Sequence, residues 1–396
     1  MKKIATIFAA IVLSAASGLA QKNTPTRAYN LYAESNYEAA KECIDQCILD
    51  EKYNTKANTW LYKANIDHML ASMEYSAKQN DDKYVIKHPN TPVEAFDAYK
   101  KARSINKNVE GFEMKSPSDG LPIIYPLLFI QGVNELVANQ FETAKNTLEK
   151  AVESYEMQTP PQYPLEGKLY YYYAYALEMN KDMTNAEKYY QKALADGSKD
   201  MNVFIRLIES YKKTDRKADV LSLIEQAKRN DASNVNILVA EAEYYFWTGD
   251  NERGRQLLKN LPATINDSPD ALINAANLYI KDNQYGEAEK LLKRAYANNP
   301  SAIIAHNLGV CCSNIGEDKY MEANKLDVNG KKSEGEMVKR EADQYMLDAA
   351  EYFEKASKEE INDISVLYKL KEIYLRLGKE SKVQETEKRI QSIENK

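Results

Sequence analysis

Ala186-Glu187-Lys188-Tyr189-Tyr190-Gln191-Lys192-Ala193 and Ala288-Glu289-Lys290-Leu291-Leu292-Lys293-Arg294-Ala295 are built alike. Each opens on a small residue, places a large apolar one four positions later, and puts alanine three after that. Val220, Ile224, Ala227 and Gly254, Leu258, Leu261 lie between them at the same spacing. The leading positions are 186, 220, 254 and 288, so the spacing is 34 each time. Steps of four and three keep side chains on one face of an α-helix, so each segment reads as an amphipathic helix. A helix that recurs at a fixed interval is an internal repeat.

A second helix precedes each of these. Ala174, Ile208, Ala242 and Ala276 stand twelve residues before the markers, followed three residues on by Leu177, Tyr211, Tyr245 and Tyr279. Thr248-Gly249-Asp250 and Asp282-Asn283-Gln284-Tyr285 punctuate the junctions, and Pro300 follows one of the second helices. Small residues at a crossing let two antiparallel helices approach closely, and Gly or Asn ends a helix by tolerating a left-handed backbone. Such a pair cannot bury its apolar face alone, so neighbouring pairs must stack. Period and pattern together resemble the tetratricopeptide repeat. The resemblance implies an all-α solenoid, a right-handed superhelix of antiparallel helix pairs, whose concave face holds a protein partner.

The frame extends outward with irregularities. Asn36-Tyr37-Glu38-Ala39-Ala40 with Ile44 and Cys47 reads as a first marker helix, and Trp60 to Ala64 opens the next pair, whose partner is marked late by Ala95, Tyr99 and Ala102. Gly132 belongs with Ala144, Leu148 and Ala151, and His306-Asn307-Leu308-Gly309 precedes Ala349, Phe353 and Ala356. Val383 restores the spacing of 34. About nine helix pairs result, grouped as 21–110, 121–300 and 301–396, with a polar capping helix at the end. Three segments break the period: a loop at 80–91, a flexible link at 106–121, and a charged helical insertion at 317–344 interrupted near Asn329-Gly330. Insertions in solenoids go to their faces, so 317–344 is either a docking knob or a solvated extension.

At the other end, Lys2 and Lys3 precede an apolar stretch, Ile4 to Ala16, and Gly18-Leu19-Ala20 then offers small residues for a cut before Gln21. Residues 1–20 therefore read as a secretory signal peptide, which places the mature chain in the periplasm or outside the cell. No later run is long and apolar enough for a bilayer. A net charge of −6 without a basic run argues against nucleic-acid partners.

Little in the sequence suggests catalysis. Histidine occurs only at 68, 88 and 306, and no phosphate loop, dinucleotide glycine pattern, zinc-protease or serine-hydrolase motif is present. Cys43 and Cys47 share one helix and Cys311 and Cys312 are adjacent, which favours buried free thiols over disulfides. Neither a cofactor nor a metal site is expected. The repeat frame puts Lys168, Tyr171, Tyr175, Asn202, Glu209, Lys212, Val239, Glu243, Phe246, Asn277, Ile280 and His306 on the concave face. Family members that clamp a terminal carboxylate use Lys and Asn where Tyr171, Tyr175, Ile205 and Glu209 stand here, so that clamp is not expected. The function implied is a non-catalytic scaffold or adaptor of the bacterial cell envelope, holding a protein or peptide. Two alternatives stay open: an envelope enzyme or regulatory subunit with cysteine-dependent chemistry, and a glycan- or small-ligand-binding protein.

Overall fold

The computed structural model describes residues 22–158, 160–261, 269–358 and 364–395; the expected signal peptide, residues 1–20, lies outside them. Among the described residues regular structure is helical, apart from one bridge between Gly111 and Met114. The chain divides at Ser198–Lys199 into two compact units. In the first, α1 (Pro25–Ala33) pairs with α2 (Tyr37–Leu49), and after the short α3 (Glu51–Asn54), α4 (Ala57–Asn80) pairs with α5 (Thr91–Ile105). The short α6 (Pro117–Gly120) leads to α7 (Tyr125–Val137) with α8 (Phe141–Tyr155), then α9 (Lys168–Met179) with α10 (Met183–Ala195). The second unit holds α11 (Met201–Lys213) with α12 (Lys217–Asn230), α13 (Val235–Thr248) with α14 (Asn251–Asn260), and α15 (Pro269–Lys281) with α16 (Tyr285–Asn298). It ends with α17 (Ala302–Val328) on α18 (Lys332–Lys358) and α19 (Ile364–Arg376) on α20 (Glu380–Glu394).

The repeat's chemistry accounts for these pairs. Ala174, Ala193, Ala276, Ala288 and Ala295 have no exposed surface, and Val220, Ile224, Leu258 and Leu292 are equally buried, so the markers form the core. Each in-phase first helix ends on a left-handed residue: Lys181 (φ 65), Asp215 (φ 57), Gly249 (φ 89) and Asn283 (φ 58), again 34 apart. That conformation turns the chain and lets the next amide close on the helix, as when Asp182 N donates to Leu177 O and Arg216 N to Tyr211 O. The side chains of Asp182 and Asp250 then accept from Asn185 N and Arg253 N, capping the second helices.

The irregular segments are ordered by specific contacts. The 80–91 loop is gathered by Glu74, whose carboxylate accepts from Lys87 N (3.3 Å) and His88 N (2.9 Å). Residues 106–121 are not a flexible link. The buried Asn65 side chain donates to Lys115 O (3.0 Å) and accepts from Lys115 N (2.8 Å), satisfying backbone that would otherwise be loose. Insertion 317–344 extends α17 and α18 into a helical hairpin that turns at Asn329–Lys331, tied by Lys319 to Glu341 and by Tyr320 to Asp343. Among the described residues no single helix is long and apolar enough to cross a membrane.

Candidate functional site

In the second unit, the first helices of three successive repeats, α11, α13 and α15, line a groove of about 290 Å³. Its floor is apolar, from Ile205, Ile208, Val239, Ala240 and Leu278. Four carboxamides, Asn202, Asn236, Asn274 and Asn277, stand around that floor. Each can donate and accept at once, as a peptide group does. Five charged side chains line the groove, Glu209, Lys212, Glu243, Asp270 and Lys281, and three of them form one bridge. Glu243 on α13 takes Lys212 Nζ of α11 at 2.7 Å and Lys281 Nζ of α15 at 3.3 Å. Burial pushes the Glu243 carboxyl up, but the lysine hydrogen bonds and charges outweigh it and hold it below its ordinary range. The bridge thus spans three repeats while staying ionised at neutral pH.

Six of the residues that spacing assigned to a concave face line this groove: Asn202, Glu209, Lys212, Val239, Glu243 and Asn277. Phe246 and Ile280 are half-buried against the core, and the Phe246 ring lies over Gly254, where an added Cβ would approach it to 3.0 Å. Both share the repeat position of Lys212, but an apolar side chain there folds inward whereas lysine reaches across to Glu243. His306 lines a separate cavity between α17 and α19, its ring 5.8 Å from Phe353. Lys168, Tyr171 and Tyr175 lie on α9 in the first unit, the lysine exposed and the tyrosines half-buried. There the Tyr171 ring packs on Tyr172 and Tyr190, and Tyr170 donates to Glu156, so the tyrosine run is chiefly mutual ring packing. Asn236, Asn274 and Lys281 are groove residues beyond those assigned from spacing. Asn236 was detectable in principle, since it stands 34 residues after Asn202.

The reactive side chains sit elsewhere and are spoken for. All four cysteines are buried free thiols, and burial pushes those of Cys47 and Cys311 up to about 12. Asp45, Asp67 and Glu94 bring three carboxylates together in the first unit, close enough to hold a metal ion. The chain supplies its own cations among those oxygens. Lys63 Nζ lies 2.6 Å from Asp45 and 2.8 Å from Asp67, and Lys41 Nζ lies 3.2 Å from Asp67.

Residues 131–200, which carry α8, α9 and α10, match the tetratricopeptide repeat family model. That segment carries the tetratricopeptide repeat, and the helix pairs of each unit share its all-α, TPR-like architecture. Among solved structures, it is similar to a human IFIT1 dimer with PPP-AAAA, at 17% identity and a TM-score of 0.42, covering 82% of this chain and 72% of that one. It is also similar to YrrB, a TPR protein with an unusual peptide-binding site (18%, TM-score 0.33, 53% of this chain and 96% of that one). A third is a thermophilic TPR protein of Thermus thermophilus (18%, TM-score 0.36, 45% and 92%). The sequence matches none of the curated proteins.

Proposed function

We propose that this protein is a non-catalytic interaction scaffold that holds an extended segment of a partner protein in the groove across α11, α13 and α15. One observation carries the reading: three successive repeats present an apolar floor, four carboxamides and a shared Lys–Glu–Lys bridge to a single groove. An extended chain exposes alternating side chains and unpaired amides, which suit such a floor and rim. The burial of all four thiols speaks against the cysteine-dependent alternative. Residues 1–20 support placement in the bacterial envelope, where an adaptor would work outside the cytoplasm.

The test uses the full chain and a phage-displayed library of random peptides. Selected peptides should bind in fluorescence anisotropy, and Asn274→Arg, an exposed change that crowds the groove, should weaken them about tenfold or more. Failure to select any peptide, or equal binding by Asn274→Arg, would sink the reading.

A further inference from the structure

We infer that the cavity between α17 and α19 takes one bulky, uncharged apolar side chain of the same extended ligand, acting as its anchor. This rests on the groove reading above and adds a second, chemically different contact to it. The cavity measures about 550 Å³, within the ~300–1,000 Å³ usual for small-ligand sites. Its floor is Phe353 and Met346, which rise from α18 because α17 has glycine above each of them. A Cβ on Gly309 would come within 2.7 Å of the Phe353 ring, and one on Gly316 within 3.0 Å of Met346. Val310, Val366 and Ile373 add apolar wall, while the short Ser313 and Asn314 leave the space between the helices open.

The rim decides what enters. Its charges cancel in pairs, Arg376 with Glu317 across the helices and Lys369 with Glu372 (3.2 Å) along α19. A charged ligand group would have to break a pair, whereas an uncharged apolar one gains by leaving water. The Arg376 guanidinium also lies 4.9 Å from the centre of the Tyr320 ring, and Tyr320 bonds Asp343 of α18. Glu317 and Tyr320 open the 317–344 segment, so that insertion braces one end of the cavity.

Continuity links the cavity to the groove. Asn307 Nδ2 of α17 donates to Asn277 Oδ1 of α15 at 3.0 Å, so the first-helix face runs from one into the other. From α13 to the gap between α17 and α19 is two and a half helix spacings, about 20–25 Å at ~8–10 Å each. An extended chain at ~3.3 Å per residue covers that in about six to eight residues.

Random 16-residue peptides displayed on phage, selected on the full chain, are the probe. The expected set shares an aromatic or large aliphatic residue about four to five positions from the portion that Asn274→Arg disrupts, because α15 lies one helix spacing nearer the cavity than α13. Ser313→Trp, which fills the cavity, should weaken these peptides roughly 10- to 100-fold. Replacing the peptide's anchor by alanine should weaken wild type equally and make no further difference to Ser313→Trp. Should Ser313→Trp lower the melting temperature, the peptide-side substitution carries the test by itself. Peptides selected without an apolar preference, or bound equally by Ser313→Trp, overturn the anchor and leave the groove standing. If no peptide is selected, the groove reading fails and the anchor falls with it.

Discussion

Lys181 holds φ at 65 in a turn where the corresponding residue two repeats later is Gly249. A side chain in that region meets its own carbonyl, so glycine relieves a strain that lysine carries. Lys181→Gly should raise the melting temperature, by an amount matching about 0.5–1 kcal/mol, in a calorimetric scan; a lower midpoint would show that the side chain matters more than the backbone. Only one of the four in-phase turns uses glycine, which is why composition alone locates these turns poorly. Two neighbouring residues in α4 oppose each other with pH. Burial lifts the Asp67 carboxyl to about 6 despite its two lysines, while burial and the Lys115 charge lower His68 to about 4. Asp67 binds its proton more tightly folded, so its contribution is full below ~4 and is lost as pH rises through about 6. His68 binds its proton more weakly folded, so its contribution is full above ~6.5 and is lost as pH falls through about 4. Asp67→Asn should therefore make stability rise more steeply from pH 4.5 to 6.5 than in wild type, and His68→Asn should make it fall. Melting temperatures at the two pH values decide it; unchanged slopes in both variants would contradict the assignment.

At the scale of helices, the pairing depends on close approach at glycine and alanine. Gly309 lets the Phe353 ring lie against α17, where an added Cβ would come within 2.7 Å of it. Gly309→Ala should destabilise the chain by about 1–3 kcal/mol through overpacking, read from denaturant unfolding; a neutral result would mean that α17 and α18 can separate there. Much at this scale was legible from the sequence. The small-large-small markers predicted the pairs, because burial at a crossing constrains residue size. The groove was half legible. Asn202, Glu209 and Glu243 follow from spacing, but Lys212, Phe246 and Ile280 occupy one repeat position and do different things. Position fixes where a Cβ starts, and side-chain chemistry decides whether the rest turns to water or to core. Residues 106–121 read as flexible because Gly111, Pro117 and Gly120 signal loops. The Asn65 side chain that pins them comes from fifty residues away, and local composition carries no trace of it.

For the whole molecule, stacking gives a repeat protein its stability, and variation on its faces gives it work to do. Here the markers are conventional, while the first-helix face of the second unit carries carboxamides, a three-repeat ion bridge and an apolar cavity braced by an insertion. That uneven distribution is the reason for reading this face as the binding surface. The most direct measurement places a photo-reactive group on a selected peptide, crosslinks it to the full chain and maps the product by mass spectrometry. Crosslinks are expected on the first helices between Asn202 and Lys281, concentrated near Asn236, Val239 and Asn274. Crosslinks gathered on the second helices, α12, α14 and α16, would contradict it.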